Sequence, residues 1–90
     1  QLEHPAVQLH LLQQLLKAGD ERHALYPWRK LAKRQAPPAA MLSLSMQLGK
    51  LLGQRHDRHS LAEVSAFMRQ HFADAEQTQQ LSLYQQNRVS

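Results

Sequence analysis

The chain has 90 residues, eleven Lys and Arg against seven Asp and Glu, a formal charge of +4 and no cysteine. That length holds a single domain, one that buries about 60–65% of the surface its unfolded chain exposes. Without cysteine it has no disulfides, thiolate metal sites or cysteine nucleophiles, and no run approaches the roughly 18 apolar residues of a membrane helix. The most apolar window, Ala39 to Leu52, is interrupted by Ser43, Ser45, Gln47 and Lys50. The first residues, Gln-Leu-Glu-His-Pro, lack the basic start and apolar core of a signal peptide. A start at Gln1 reads as a segment of a longer protein or a processed product. The absence of cysteine suits a cytoplasmic location, and the chain also fits the soluble part of a larger or membrane-anchored protein.

Four β-branched residues (Val7, Val64, Thr78 and Val89), no Ile and thirteen Gln leave little strand signal and favour helix. The expected fold class is all-α. A first helix is predicted from Pro5, a tolerated first-turn proline, to Ala18, with Val7, Leu11, Leu12, Leu15 and Leu16 as its apolar stripe. Gly19 suits a left-handed terminator and Asp20 a cap for the next helix. That helix, running from Glu21, turns Ala24, Leu25, Trp28, Leu31 and Ala32 inward, with Pro27 tolerated early in it. Pro37 and Pro38 end it.

A third helix is predicted from Pro38 to Leu52, presenting Met41, Leu44, Leu48, Leu51 and Leu52, followed by a turn from Gly53 to His59. Ser60 and Glu63 have the spacing of a capping box. They precede a fourth helix that buries Leu61, Val64, Met68 and Phe72, with Phe67 beside the stripe. A Gln-rich fifth helix from Ala75 to Gln86 rests on Leu81 and Tyr84 and is expected to fray or to need a partner. Asn87 to Ser90 is expected to be a disordered tail.

The two halves correspond at a constant offset of 37 residues. Leu11-Leu12, Leu15, Gly19-Asp20, Ala24, Trp28 and Leu31 match Leu48-Gly49, Leu52, His56-Asp57, Leu61, Ser65 and Met68. A fixed offset of this size marks a helical repeat. Gly49 and Ala24 allow close helix approach, and Trp28 is placed to fill the space between units.

The pattern Leu11, Leu15, Gly19, Asp20, Ala24, Trp28, Leu31 and Pro37, followed by Leu48, Gly49, Leu52, Asp57 and Leu61, resembles the tetratricopeptide repeat. Departures are Leu12, Leu61 and Ser65 at positions that are small or aromatic in that family, and a period three residues longer than its ~34. The resemblance implies two antiparallel helix hairpins in right-handed stacking, over residues 5–36 and 38–74, with residues 75–86 as a capping helix. It also implies a protein-binding scaffold or adaptor whose helix-A surfaces line a shallow concave face. Here those surfaces carry Gln8, His10, Gln14, Lys17, Gln47, Lys50 and Gln54.

Catalytic chemistry is not indicated. No nucleophile elbow or glycine-rich phosphate loop is present, and the acids fall mainly at caps and exposed positions. His56, Asp57 and His59 share one turn, too few ligands for a zinc site without His71 or His23. The sequence therefore points to no metal and no cofactor. Arg29, Lys30, Lys33 and Arg34 form two adjacent basic rows at i, i+4 spacing. Their mutual repulsion costs a few tenths of a kcal/mol per pair; the cluster suits a docking patch for an acidic peptide or for nucleic-acid phosphate, and equally a solvated helix face.

A protein or peptide partner is thus the leading expectation. The alternatives are a nucleic-acid-binding helix-turn-helix domain, with Arg58 and Arg69 on phosphates, and an oligomerisation domain or homodimer.

Overall fold

A computed structural model describes residues 4–89. They form five helices and no strand: α1 (Pro5–Lys17), α2 (Glu21–Ala32), α3 (Met41–Gln54), α4 (Arg58–His71) and α5 (Glu76–Val89). The fold is all-α, as the composition implies. α1 pairs with α2 and α3 with α4, while α3 also packs on α1 and α2. α5 takes the same place on α3 and α4 that α3 takes on the first hairpin. The result is an elongated stack of 41 × 27 × 18 Å.

The local signals at the helix ends recur at the 37-residue offset. Gly19 has φ +72° and His56 φ +60°, so both hairpin turns pass through the left-handed region. In the first turn the amides of Gly19 and Asp20 bond to the carbonyls of Leu16 and Leu15 at 3.0 and 2.9 Å. In the second, His56 and Asp57 bond to Gly53 and Leu52 at 3.1 and 3.0 Å. Asp20 then caps α2 by accepting from the His23 amide at 3.2 Å, and Asp57 caps α4 by accepting from the Ser60 amide at 3.1 Å. Each cap satisfies an amide that the first helical turn leaves without a carbonyl.

Several expectations are corrected. Ser60 is not the cap of α4 but lies buried within its first turn, because Asp57 starts the helix earlier. Glu63 therefore closes no capping box. α3 begins at Met41 rather than Pro38: the amides of Met41 and Leu42 bond to Pro38 and Ala39 in a tight i, i+3 turn at 2.9 and 3.1 Å. The same helix runs on to Gln54, placing Gly53 inside it. α5 continues past Gln86 to Val89, since no Gly or Pro stops it, so 87–89 are helical and only Ser90 of the expected tail lies outside the described residues.

The apolar stripe of α1 is also rotated from the expected one. Leu12 and Leu16 are buried, but the row is completed by Gln8 at 5% exposure, whereas Val7 and Leu11 are 40% and 42% exposed. α1 is apolar over much of its circumference, so its own periodicity does not select a face. The neighbours α2 and α3 do.

Trp28 ties the units together, as its position predicts. It is buried, its indole Nε1 donates to Ser45 Oγ of α3 at 2.8 Å, and its ring meets Phe67 of α4 edge-on with centroids 5.3 Å apart. Gly49 serves close approach, as expected, and the partner is α5: a Cβ there would lie 2.7 Å from Leu81 Cδ1. Gly53, one turn further on, faces the Tyr84 ring. The Tyr84 hydroxyl donates to the Lys50 carbonyl at 3.0 Å, and Thr78 Oγ1 donates to the Phe72 carbonyl at 2.6 Å. Those bonds fix α5 at both ends of the second hairpin. At the turn end of the stack, the largely buried Glu21 carboxylate pairs with Arg55 Nε at 3.3 Å.

Candidate functional site

The residues expected on the concave helix-A face do not assemble into one groove. Gln8 is buried in the α1 row. Lys17 and Gln47 come together across a shallow groove of about 340 Å³ between α1 and α3, with Gln13, Ala40, Ser43 and Leu44. There the Gln47 amide donates to Ser43 Oγ at 3.3 Å. His10, Gln14, Lys50 and Gln54 are exposed but line neither this groove nor the larger cleft described next.

That larger cleft, about 630 Å³, lies between α4 and the C-terminal half of α2 with the residues just after it. Trp28, Ala32, Ala66 and Phe67 supply its apolar surface. Arg29, Lys33 and Arg34 supply cations, and Glu63, Gln70 and His71 stand on the α4 side. Three of the four predicted basic-patch residues therefore line one concavity. Lys30, exposed on α2, does not line it.

Local structure accounts for part of this charge cluster. Arg29 and Lys30 occupy the last turn of α2 and Lys33 its C-cap, where the helix dipole favours cations by about 0.3–1 kcal/mol each. Arg29 also meets Glu63 through two parallel bonds, Nε to Oε2 at 3.0 Å and Nη2 to Oε1 at 2.9 Å. Hydrogen bonding to Glu63 raises the already high pKa of the guanidinium, and Arg29 stays cationic. Because both side chains are over a third exposed, solvent screens the pair and its contribution is on the order of 1 kcal/mol or less. Lys33 and Arg34 are exposed on the rim.

The floor is aromatic. Phe67 is nearly buried, with the His71 ring 4.8 Å away at 40° and Phe72 edge-on at 5.9 Å. Sequence reasoning placed Phe67 beside the core stripe and missed Glu63 and His71 as walls of a cleft. The i, i+4 row Glu63, Phe67, His71 was the available signal, and it becomes a wall only once α2 lies opposite.

The histidine-bearing turn has local roles. His56 takes the left-handed position and Asp57 caps α4. Among the described residues no three His, Cys, Asp or Glu side chains converge as a metal site. His23 instead pairs with Asp20, Nδ1 to Oδ2 at 2.8 Å. The Asp20 carboxyl is held below its ordinary pKa, chiefly by the His23 backbone N–H and then by the His23 ring. Arg69 is turned back onto its own helix, donating to Ser65 Oγ at 2.7 Å, whereas Arg58 is exposed in the first turn of α4. No helix among the described residues is long and apolar enough to cross a membrane.

Compared with known families, curated proteins and solved structures, the chain matches no family model, no curated protein and no solved structure.

Proposed function

We propose that this chain is a non-catalytic, tetratricopeptide-like interaction module that seats an acidic peptide segment of a partner protein in the α2/α4 cleft. The repeat reading is supported by the recurrence of the left-handed turn and Asp cap at 37 residues, and by the way α5 continues the stack. The observation that carries the binding reading is the cleft itself. At about 630 Å³ it has the size of sites that hold a few side chains, with an aromatic floor beneath a rim whose outermost groups, Lys33 and Arg34, are cations. An aliphatic or aromatic side chain of the peptide rests on Phe67 and Ala66, and neighbouring carboxylates meet Lys33 and Arg34.

Panning a random-peptide display library on the chain tests this. The expected result is enrichment of sequences with Asp or Glu beside Leu, Phe or Trp, and loss of their binding to the Lys33→Glu/Arg34→Glu variant. Enrichment without acidic residues, or equal binding by the variant, overturns the reading. Tight, steeply salt-dependent binding of random-sequence DNA that the same variant abolishes would put the nucleic-acid alternative in its place.

A further inference from the structure

The charges lining the α2/α4 cleft do not balance, and the imbalance narrows the chemistry of what it holds. Arg29 and Glu63 neutralise one another through their two parallel bonds. Glu63 is the only carboxylate among the described residues of the cleft, so Lys33 and Arg34 have none of their own there. Neither forms a hydrogen bond or ion pair with another described residue. The dipole of α2 accounts for a cation at its C-cap, Lys33. Arg34 lies past the helix end, where that effect has faded, and the fold gives it no partner.

The remaining lining is suited to a flat ring that carries an anion. Ala32 of α2 and Ala66 of α4 bring only methyl groups to the cleft, which leaves room beside Phe67. The His71 ring is tilted against Phe67, with centroids 4.8 Å apart at 40°, and no described residue bonds to its nitrogens.

We infer that the cleft seats a phosphotyrosine side chain of the partner peptide, an inference that rests on the cleft being the peptide site. The ring lies between Ala32 and Ala66 against Phe67, and the phosphate meets Lys33, Arg34 and His71. A phosphate monoester brings a charge of about −1.5 to −2 and three acceptor oxygens at neutral pH, matching two uncompensated cations. A carboxylate brings one charge and leaves one cation unmatched. Aspartate and glutamate also lack the ring, so only the phosphorylated aromatic meets floor and rim with one side chain.

The probes are three pentapeptides with blocked ends and flanking alanines, differing at the central residue: phosphotyrosine, para-carboxymethylphenylalanine or phosphoserine. Each is titrated into the isotopically labelled chain, and the Trp28 indole signal and the amides of Phe67 and His71 are followed. The phosphotyrosine peptide is expected to shift these signals and to bind about tenfold or more tightly than the other two. Arg34→Gln, at an exposed position outside the helices, is expected to weaken it about tenfold with circular dichroism unchanged. Equal or tighter binding of the carboxymethyl peptide overturns the inference and leaves the acidic-peptide reading standing. Equal binding of the phosphoserine peptide removes the ring from the recognition and overturns it likewise. Tighter binding of adenosine monophosphate than of the phosphotyrosine peptide makes the occupant a small aromatic phosphate, which also overturns it. Shifts from none of the three peptides overturn it too, and the acidic-peptide reading then stands or falls on the display panning alone.

Discussion

Two seams run along the stack, and they solve one packing problem in opposite ways. Where α3 lies on α1, the underlying helix presents Leu12 and Leu16. Where α5 lies on α3, the same register positions are Gly49 and Gly53, and Leu81 and Tyr84 occupy the space the missing side chains leave. The backbones share the wider contact at the second seam. A glycine inside a helix costs about 1 kcal/mol relative to alanine. That cost is offset here by burial of Leu81 and Tyr84 and by the Tyr84–Lys50 hydrogen bond. The comparison teaches that the repeat conserves its turns while its seams are filled either from below by leucines or from above by the overlying helix.

The largest effect is expected at the centre of the first seam. Trp28→Ala should cost about 3–5 kcal/mol, much of the ~5–15 kcal/mol available to a domain, and urea denaturation followed by circular dichroism reads it. If the loss is under about 1 kcal/mol, Trp28 does not hold the two hairpins together.

Next in size is an exchange of one seam's solution into the other. Gly53→Leu places the first seam's side chain under Tyr84 and should cost about 2–3 kcal/mol, with amide exchange rising across α5 before the other helices. Gly49→Ala should cost less, about 1–2 kcal/mol, because its smaller side chain still meets both methyls of the fully buried Leu81 and the helix regains about 1 kcal/mol of propensity. Amide exchange that rises equally over all five helices in Gly53→Leu would show that α5 is not seated through Tyr84.

The turns offer a smaller and signed pair. Gly19→Ala puts a Cβ at φ +72° with no clash around it, a backbone cost of about 1 kcal/mol, whereas His56→Gly relieves the same strain at φ +60°. Thermal midpoints should therefore fall in the first variant and rise in the second. A shift of the same sign in both would break the equivalence of the two turns.

The smallest effect is a pH dependence at Asp20. Its pKa in the folded chain is depressed, so its stabilising contribution is complete above the ordinary carboxylate range near ~4 and is lost as pH falls through the lower folded value. Asp20→Asn keeps a capping side chain but removes this titration. The difference in thermal midpoint between wild type and variant should shrink as pH falls below ~4, and a constant difference would contradict it.

Much of this molecule is legible in sequence because its signals are local. Helix formers, Gly19-Asp20 and its counterpart His56-Asp57 set four helices and two turns through backbone geometry and caps that involve residues within one turn of each other. The register of 37 follows from the same signals, as does the pairing of Trp28 with the space between units. The candidate cleft was only half legible: the i, i+4 spacing of its basic residues along α2 was visible, but its opposite wall was not.

What the tertiary structure alone decided are the choices between faces. α1 offers apolar residues over more than half of its circumference, and contact with α2 and α3 selects Gln8, Leu12 and Leu16 over Val7 and Leu11. Glu63 has the spacing of a capping box, yet Asp57 starts α4 earlier and leaves its carboxylate for Arg29, 34 residues away in the chain. Gly53 looks like a turn and is a helical seat for Tyr84. In each case the local chemistry permits two outcomes of similar energy, and a neighbour distant in sequence supplies the burial or hydrogen bonding that separates them.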